Sequence, residues 1–392
     1  MIAMKLRMAN LLIASSLLLC AQTLAQTLIY SLSYPETRAS FNTRFPNGAI
    51  GASINERLAM LRNLRKTEIY SVSMSDGKRS LLFSDEGMNF EIRPTGATFG
   101  AGKAYVTGVV REWRTTPIPG AYAEPPAIYE IGLDGSRRFH KLFELRPNQG
   151  RALLNPAGSK AMFEAFENGQ YTVSIYGVPA WNLLHSWDLT KLTQAHCPGC
   201  LPVSYGWLEG GDRVFFNLDL TDDDSIEPET HNMPGTYLLS EDGTDLGGIP
   251  AEIGQLQLAG YTRQKYVTPY LIGQLPDGDY LFEDHALKNG PLPKAPIELE
   301  SFLVIAGPNL KAKRQFLLQK HGIRSYYLAP SGRYLAYIED RQIPNYRTER
   351  HLWGKDLQSG EEKELFIAPP PAPPTSPEPN PLLTVLGWDD NN

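Results

Sequence analysis

One stretch of this chain holds the residue types that acid–base chemistry on an anion would use: Arg341, Tyr346, Arg347, Arg350 and His351. Forked guanidinium groups can grip a carboxylate or an acidic sugar through paired hydrogen bonds. A tyrosine beside them can act as acid or base in a β-elimination. Tyr346, Arg347 and His351 are therefore the candidates for a lyase acting on an acidic glycan. A second stretch, with Asp222, Asp223, Asp224 and Glu227, is rich in the oxygen ligands that suit Ca²⁺. It lacks the alternating acids and central glycine of an EF-hand loop, so a solvated acidic loop is the favoured reading and Ca²⁺ the secondary one. Trp113, Arg114 and Tyr122, set among prolines, form an aromatic contact patch, and His231, His285 and Lys288 complete the set of candidate ligand-facing groups.

Several chemistries are excluded by motif. The chain has no Gly-x-Ser-x-Gly elbow to present a nucleophilic serine. It has no His-Glu-x-x-His, no Walker loop, and no Gly-x-Gly-x-x-Gly after a strand. Cys197 and Cys200 enclose Pro198-Gly199. In an oxidising compartment that spacing reads as a small structural disulfide, ahead of redox or metal roles. No helix is expected after the pair to stabilise a thiolate, and no second ligand pair is near for zinc.

The candidate residues fall on four long connections, 107–127, 217–235, 283–301 and 338–351, at equivalent points of a repeating strand pattern. Inner strands follow Pro-x-Gly or a glycine-rich stand-in: Pro94 to Val106, Asn155 to Phe163, Trp207 to Phe216, Leu275 to Phe282 and Ala329 to Tyr337. Outer pairs are apolar or aromatic and often turn at Asp-Gly: Ile69 to Phe83, Ile128 to Phe143, Val173 to Leu184, Tyr237 to Leu246, Phe302 to Leu318 and Leu352 to Phe366. Proline presets φ in such turns and glycine supplies the unusual φ. A unit of four short strands recurring about every 40–50 residues predicts an all-β β-propeller, since one blade cannot bury its own faces. The 34 glycines and 31 prolines suit a fold made largely of turns. In such a ring the long connections share one face, where loops on a rigid scaffold carry function.

The two chain ends frame this ring. Lys5 and Arg7, the apolar run Leu11 to Leu19, and Thr23-Leu24-Ala25 make residues 1–25 a secretory signal peptide. Its apolar core is too short to span a bilayer. Leu18-Leu19-Cys20 resembles a lipobox but has Leu19 where a small residue is needed, which makes lipidation of Cys20 the secondary reading. The mature protein is expected to be periplasmic or secreted, monomeric and without membrane insertion. Removal of 1–25 takes away two basic residues and no acid, changing the net charge from −6 to −8. That balance argues against nucleic acid as a partner. At the other end, a proline-rich linker, 369–381, precedes Leu382 to Trp388. The latter matches the start of an inner strand, with Ser204-Tyr205-Gly206-Trp207 as its internal parallel. It is expected to close the ring by completing the blade of Ile69 to Phe83. Residues 26–392 then form a single domain of six blades, or seven if Leu28 to Tyr34 belongs to a further one.

Two repeats carry a family resemblance. Asn155-Pro156-Ala157-Gly158-Ser159-Lys160-Ala161-Met162-Phe163 and Ala329-Pro330-Ser331-Gly332-Arg333-Tyr334-Leu335-Ala336-Tyr337 resemble the Ser-Pro-Asp-Gly-Lys repeat of TolB-like propellers. The same WD40-like repeat occurs in the propellers of dipeptidyl-peptidase-IV-type and prolyl-oligopeptidase enzymes. The chain departs from the pattern in that no repeat has the full Ser-Pro-Asp-Gly, and no α/β-hydrolase domain is expected within these residues. The resemblance implies an exported, non-catalytic propeller that binds a protein or peptide through its long-loop face. Fold alone does not fix function, so a carbohydrate-active lyase is the alternative.

Overall fold

The computed structural model describes residues 26–35, 64–88, 91–100, 103–111, 127–131, 139–144, 153–155, 159–197, 199–208, 211–220, 235–240, 243–248, 261–262, 269–288, 300–318, 320, 322–344, 347–368 and 381–389. The expected signal peptide and nearly all of the proline-rich linker lie outside them.

All but one of the described elements are strands, and they form six antiparallel sheets. The first contains both ends of the described chain: β25 (Leu382–Asp389), β1 (Thr27–Pro35), β2 (Leu64–Ser73) and β3 (Arg79–Ser84), in that order. The second is β4 (Glu91–Gly100), β5 (Lys103–Arg111), β6 (Ala127–Ile131) and β7 (Phe139–Glu144). The third is β8 (Leu153–Leu154), β9 (Lys160–Glu167), β10 (Gln170–Gly177) and β11 (Asn182–Asp188). The fourth is β12 (Cys200–Leu208), β13 (Arg213–Leu220), β14 (Gly235–Leu239) and β15 (Leu246–Gly248). The last is β21 (Ile323–Leu328), β22 (Tyr334–Ile343), β23 (Arg347–Asp356) and β24 (Glu362–Ile367). Between these two lies a five-stranded sheet, where β16 (Tyr261–Thr262) and β17 (Tyr270–Gln274) both pair with β18 (Tyr280–Lys288), followed by β19 (Glu300–Ala306) and β20 (Ala312–Leu318). The fold is thus the expected all-β propeller. Six like blades are corrected to five regular four-stranded ones, because the inner edge of the remaining sheet is divided between β16 and β17. The seven-blade alternative also fails, since Leu28 to Tyr34 sits inside the first sheet.

The turn chemistry holds the strands in register. Gly278 and Gly332 adopt φ of +87° and +68° in their Pro-x-Gly turns, a region that glycine enters without cost. Four of the six outer pairs carry a bulge just before an aromatic residue: after Ile69, Ile128, Ile175 and Leu352 the register slips, each time before Tyr or Trp. Such bulges sharpen the twist of an outer edge and discourage edge-to-edge pairing. Trp181 is buried in the turn after the cis Val178–Pro179 bond.

Six apolar clusters fill the spaces between neighbouring sheets. Ile29 and Phe83 of the first sheet pack with Ile92 and Tyr129 of the second. Ile128 meets Phe163 and Tyr176, and Val173 meets Phe216 and Leu218. Phe215 packs with Phe282 and Phe302, and Leu281 and Leu303 with Leu335 and Tyr337. Finally Ala336 and Leu352 of the last sheet pack with Leu28, Tyr30 and Val385 of the first. Each fully buried aromatic or aliphatic side chain contributes about 1.5–3 kcal/mol.

An eight-residue helix, α1 (Leu189–His196), was not foreshadowed by any apolar periodicity. Asp188 caps it by accepting from the Lys191 N–H, and it leads directly into Cys197.

Candidate functional site

In every sheet the second strand hands over to the third at the same end. Four of these handovers are long: Pro35 to Leu64, Arg111 to Ala127, Leu220 to Gly235 and Lys288 to Glu300. Two are short, Glu167 to Gln170 and Ile343 to Arg347. The expected long loop at 338–351 is therefore corrected: it is a strand hairpin whose ladder runs up to the pair Ile343 and Arg347. Its charged run Glu339-Asp340-Arg341 masks the alternation that marks a strand, but each member has a cross-strand partner, Asp340 opposite Arg350 and Arg341 opposite Glu349. The connection after Pro35 takes its place among the long ones.

Trp113, Arg114, Tyr122, Asp222, Asp223, Asp224, Glu227, His231 and Tyr346 lie outside the described residues. Among the described residues no three His, Cys, Asp or Glu side chains are grouped to hold a metal ion. Lys288 ends β18, and Arg347 opens β23.

The structure separates the arginines from His351. His351 is only 2% exposed. Its Nε2 lies 2.9 Å from Glu349 and its Nδ1 2.5 Å from Glu364, while its ring stacks on Trp353. Buried and with both ring nitrogens engaged, His351 is not exposed on the long-loop face where the sequence placed it. Arg341 and Arg350 do reach the surface. Arg341 donates to Glu339 at 3.0 Å and Arg350 to Asp340 at 3.1 Å, and both acids are buried.

His285 sits in a cluster that motif reading misses. Its Nδ1 is 3.0 Å from the Ser301 hydroxyl, directly across the ladder, and its Nε2 is 3.5 Å from Glu283. Tyr326, from the inner strand of the last sheet, donates to Glu283 at 2.7 Å. Burial raises the Glu283 pKa above the usual carboxylate range, and the Tyr326 bond opposes this. Burial, then the Glu283 charge and bond, raise the Tyr326 pKa. The same pattern joins Tyr270 to Asp219 and Tyr171 to Glu164. In the first sheet burial and the bond to Glu68 push Tyr70 up to about 12. The only sequence signal for these pairs is an acid soon after the buried Phe163, Phe216 and Phe282.

Cys197 and Cys200 are joined in a disulfide and are both buried. Since α1 precedes the pair, the cysteines stand at the helix C-terminus, whose partial negative charge disfavours a thiolate. Their environment is the apolar cluster between the third and fourth sheets. The arrangement suits a staple rather than a redox centre.

No family model and no curated protein matches the chain. Solved structures do. TolB from Acinetobacter baumannii is 12% identical with a TM-score of 0.38, over 74% of this chain and 71% of that one. The periplasmic gluconolactonase PpgL from Pseudomonas aeruginosa is 12% identical with a TM-score of 0.40, over 92% and 99%. The oligogalacturonate lyase from Vibrio parahaemolyticus is 12% identical with a TM-score of 0.38, over 77% and 72%. These neighbours differ in activity, so none of them assigns one to this chain.

Proposed function

We propose that the six sheets close into one ring, with β25 as the closing strand, and that the exported protein binds a protein or peptide partner on the end where second strands hand over to third ones. One observation carries this reading. Four long connections leave the scaffold at that end, while His351, the histidine of the expected catalytic trio, is sealed between two glutamates. A rigid ring carrying adaptable loops is a common design for recognition.

The test is capture from an envelope fraction by the wild type and by a Trp113→Ala, Tyr122→Ala double variant. The wild type is expected to recover a discrete partner that the double variant loses. Equal recovery by both would rule out this face.

The alternative of a uronate lyase makes a separate demand. A lyase leaves an unsaturated uronate that absorbs in the ultraviolet, so incubation with a panel of acidic glycans, with and without divalent cations, gives a direct readout. No absorbance change is expected, because His351, one of the three expected lyase residues, is buried and held between Glu349 and Glu364.

A further inference from the structure

The hairpin of β22 and β23 runs past the rest of its sheet. The inner strand pairs no further than Ile323 with Glu339, and the outer strand no further than Ile367 with His351. One more backbone bond on each side, from Asp340 to Gly322 and from Ala368 to Arg350, ends the flanking support. Beyond it, 341–343 and 347–349 pair with each other alone among the described strands. This two-stranded tip projects from the proposed binding end.

The tip presents guanidinium groups that are held from behind. Glu339 accepts Arg341 on the same oxygen that takes the Trp353 indole N–H, and so has a fixed orientation. Asp340, the next residue along, holds Arg350 by its Nε. The acids are withdrawn from water, but the arginine side chains are 46% and 32% exposed. Each bond engages one edge of a guanidinium, and a guanidinium has five N–H donors in a planar fork. The free edge is thereby oriented for a second acceptor. Successive residues of a strand point to opposite faces, so Arg341, on the Glu339 side, and Arg350, on the Asp340 side, flank the ribbon.

We propose that this hairpin tip docks an acidic peptide segment, whose carboxylates pair with Arg341 and Arg350. The proposal rests on the reading that this end binds a protein partner, and it adds the partner's chemistry. The net charge, −6 for the whole chain and −8 without residues 1–25, repels acidic chains at long range, so only a segment that makes the local forked bonds gains by binding.

The probe is a fluorescein-labelled oligoglutamate peptide, with oligoglutamine as the control, titrated against the full chain by fluorescence anisotropy. Oligoglutamate is expected to bind at least about tenfold more tightly than oligoglutamine, and the preference should fade as salt shortens the Debye length. The Arg341→Ala, Arg350→Ala variant should lose the preference. The Arg341→Lys, Arg350→Lys variant should restore only part of it, because an ammonium lacks the fork. Equal binding of the two peptides by the wild type, or an undiminished preference in the alanine variant, would overturn the proposal. If the alanine variant does not fold, the wild-type comparison still decides. Failed envelope capture with intact oligoglutamate preference would overturn only the broader partner reading, and the reverse result only the hairpin site.

Discussion

The indole Nε1 of Trp388 donates to the backbone carbonyl of Tyr327 at 2.9 Å, and Trp207 makes the same bond, at the same length, to Leu153. In each case a Gly-Trp on the inner strand of one sheet reaches the inner strand of the preceding sheet. The C-terminal strand therefore occupies the place in its sheet that β12 occupies in the fourth. It pairs with β1 rather than directly with Ile69 to Phe83, but all of these strands share one sheet.

Deletion of 382–392 should accordingly abolish stable folding. Leu383, Val385, Leu386 and Trp388 are all buried, and each contributes about 1.5–3 kcal/mol, a sum comparable with the whole 5–15 kcal/mol of a typical domain. Trp388→Phe keeps most of the apolar contact and loses the hydrogen bond, for an expected cost of about 1–2 kcal/mol by denaturant titration. A truncated chain that stays monomeric and melts within a few degrees of wild type would show that β25 is dispensable.

Acid sensitivity should concentrate at Glu362. Its carboxylate takes the ammonium groups of Lys320 and Lys355, of which Lys355 is only 3% exposed. Burial raises the Glu362 pKa, but the two lysines outweigh it and hold the group below the usual carboxylate range. A depressed folded pKa gives stability that is present above the unfolded value of about 4.3 and is lost as pH falls through the folded value. Glu362→Gln should cost about 3 kcal/mol at neutral pH, since it strands two ammonium groups. The gap to wild type should narrow in melts below about pH 4.

Glu283 should behave in the opposite sense. Its folded pKa is raised by burial, so its contribution is full below the unfolded value and is lost as pH rises through the folded one. Glu283→Gln keeps an acceptor for Tyr326 and removes the buried charge. The variant should match or exceed wild-type stability at neutral pH, with the difference growing between pH 4 and pH 7 in parallel thermal melts. A variant less stable than wild type at pH 7 would mean that the ionised form is the one the site favours.

Much of this fold is legible in the chain because the repeats are local. Ile69-Tyr70 and Ile128-Tyr129 mark the same bulge, and Gly387-Trp388 copies Gly206-Trp207, so one repeat interprets the next. The hairpin through 338–351 is not legible in this way. Its acids and arginines cancel across the ladder, between residues that are not neighbours in sequence, and the run reads as a solvated loop. The helix α1 is too short to show a period. At the site, the buried braces Glu339 and Asp340 and the partners Ser301 and Tyr326 depend on registers and on contacts between sheets. No motif spacing encodes these.

Asn217 offers the sharpest test of how the sheets are joined. It is fully buried on β13, and its amide nitrogen donates to Ser204 and to the Leu271 carbonyl, each at 2.7 Å. Its oxygen accepts from Thr236 at 2.6 Å and from the Leu271 N–H at 3.1 Å. One side chain thus ties three strands of the fourth sheet to the inner strand of the fifth. Asn217→Ala would leave both polar groups of the Leu271 backbone without this partner in a site closed to water, for an expected cost of about 3 kcal/mol. Ser204→Ala removes a single acceptor and should cost about 1 kcal/mol. Asn217→Asp should be at least as damaging as alanine, because a second carboxylate oxygen would face the Leu271 carbonyl. Denaturant titration of the three variants checks the order, and an Asn217→Ala protein within about 1 kcal/mol of wild type would show that apolar packing alone holds the fourth and fifth sheets together.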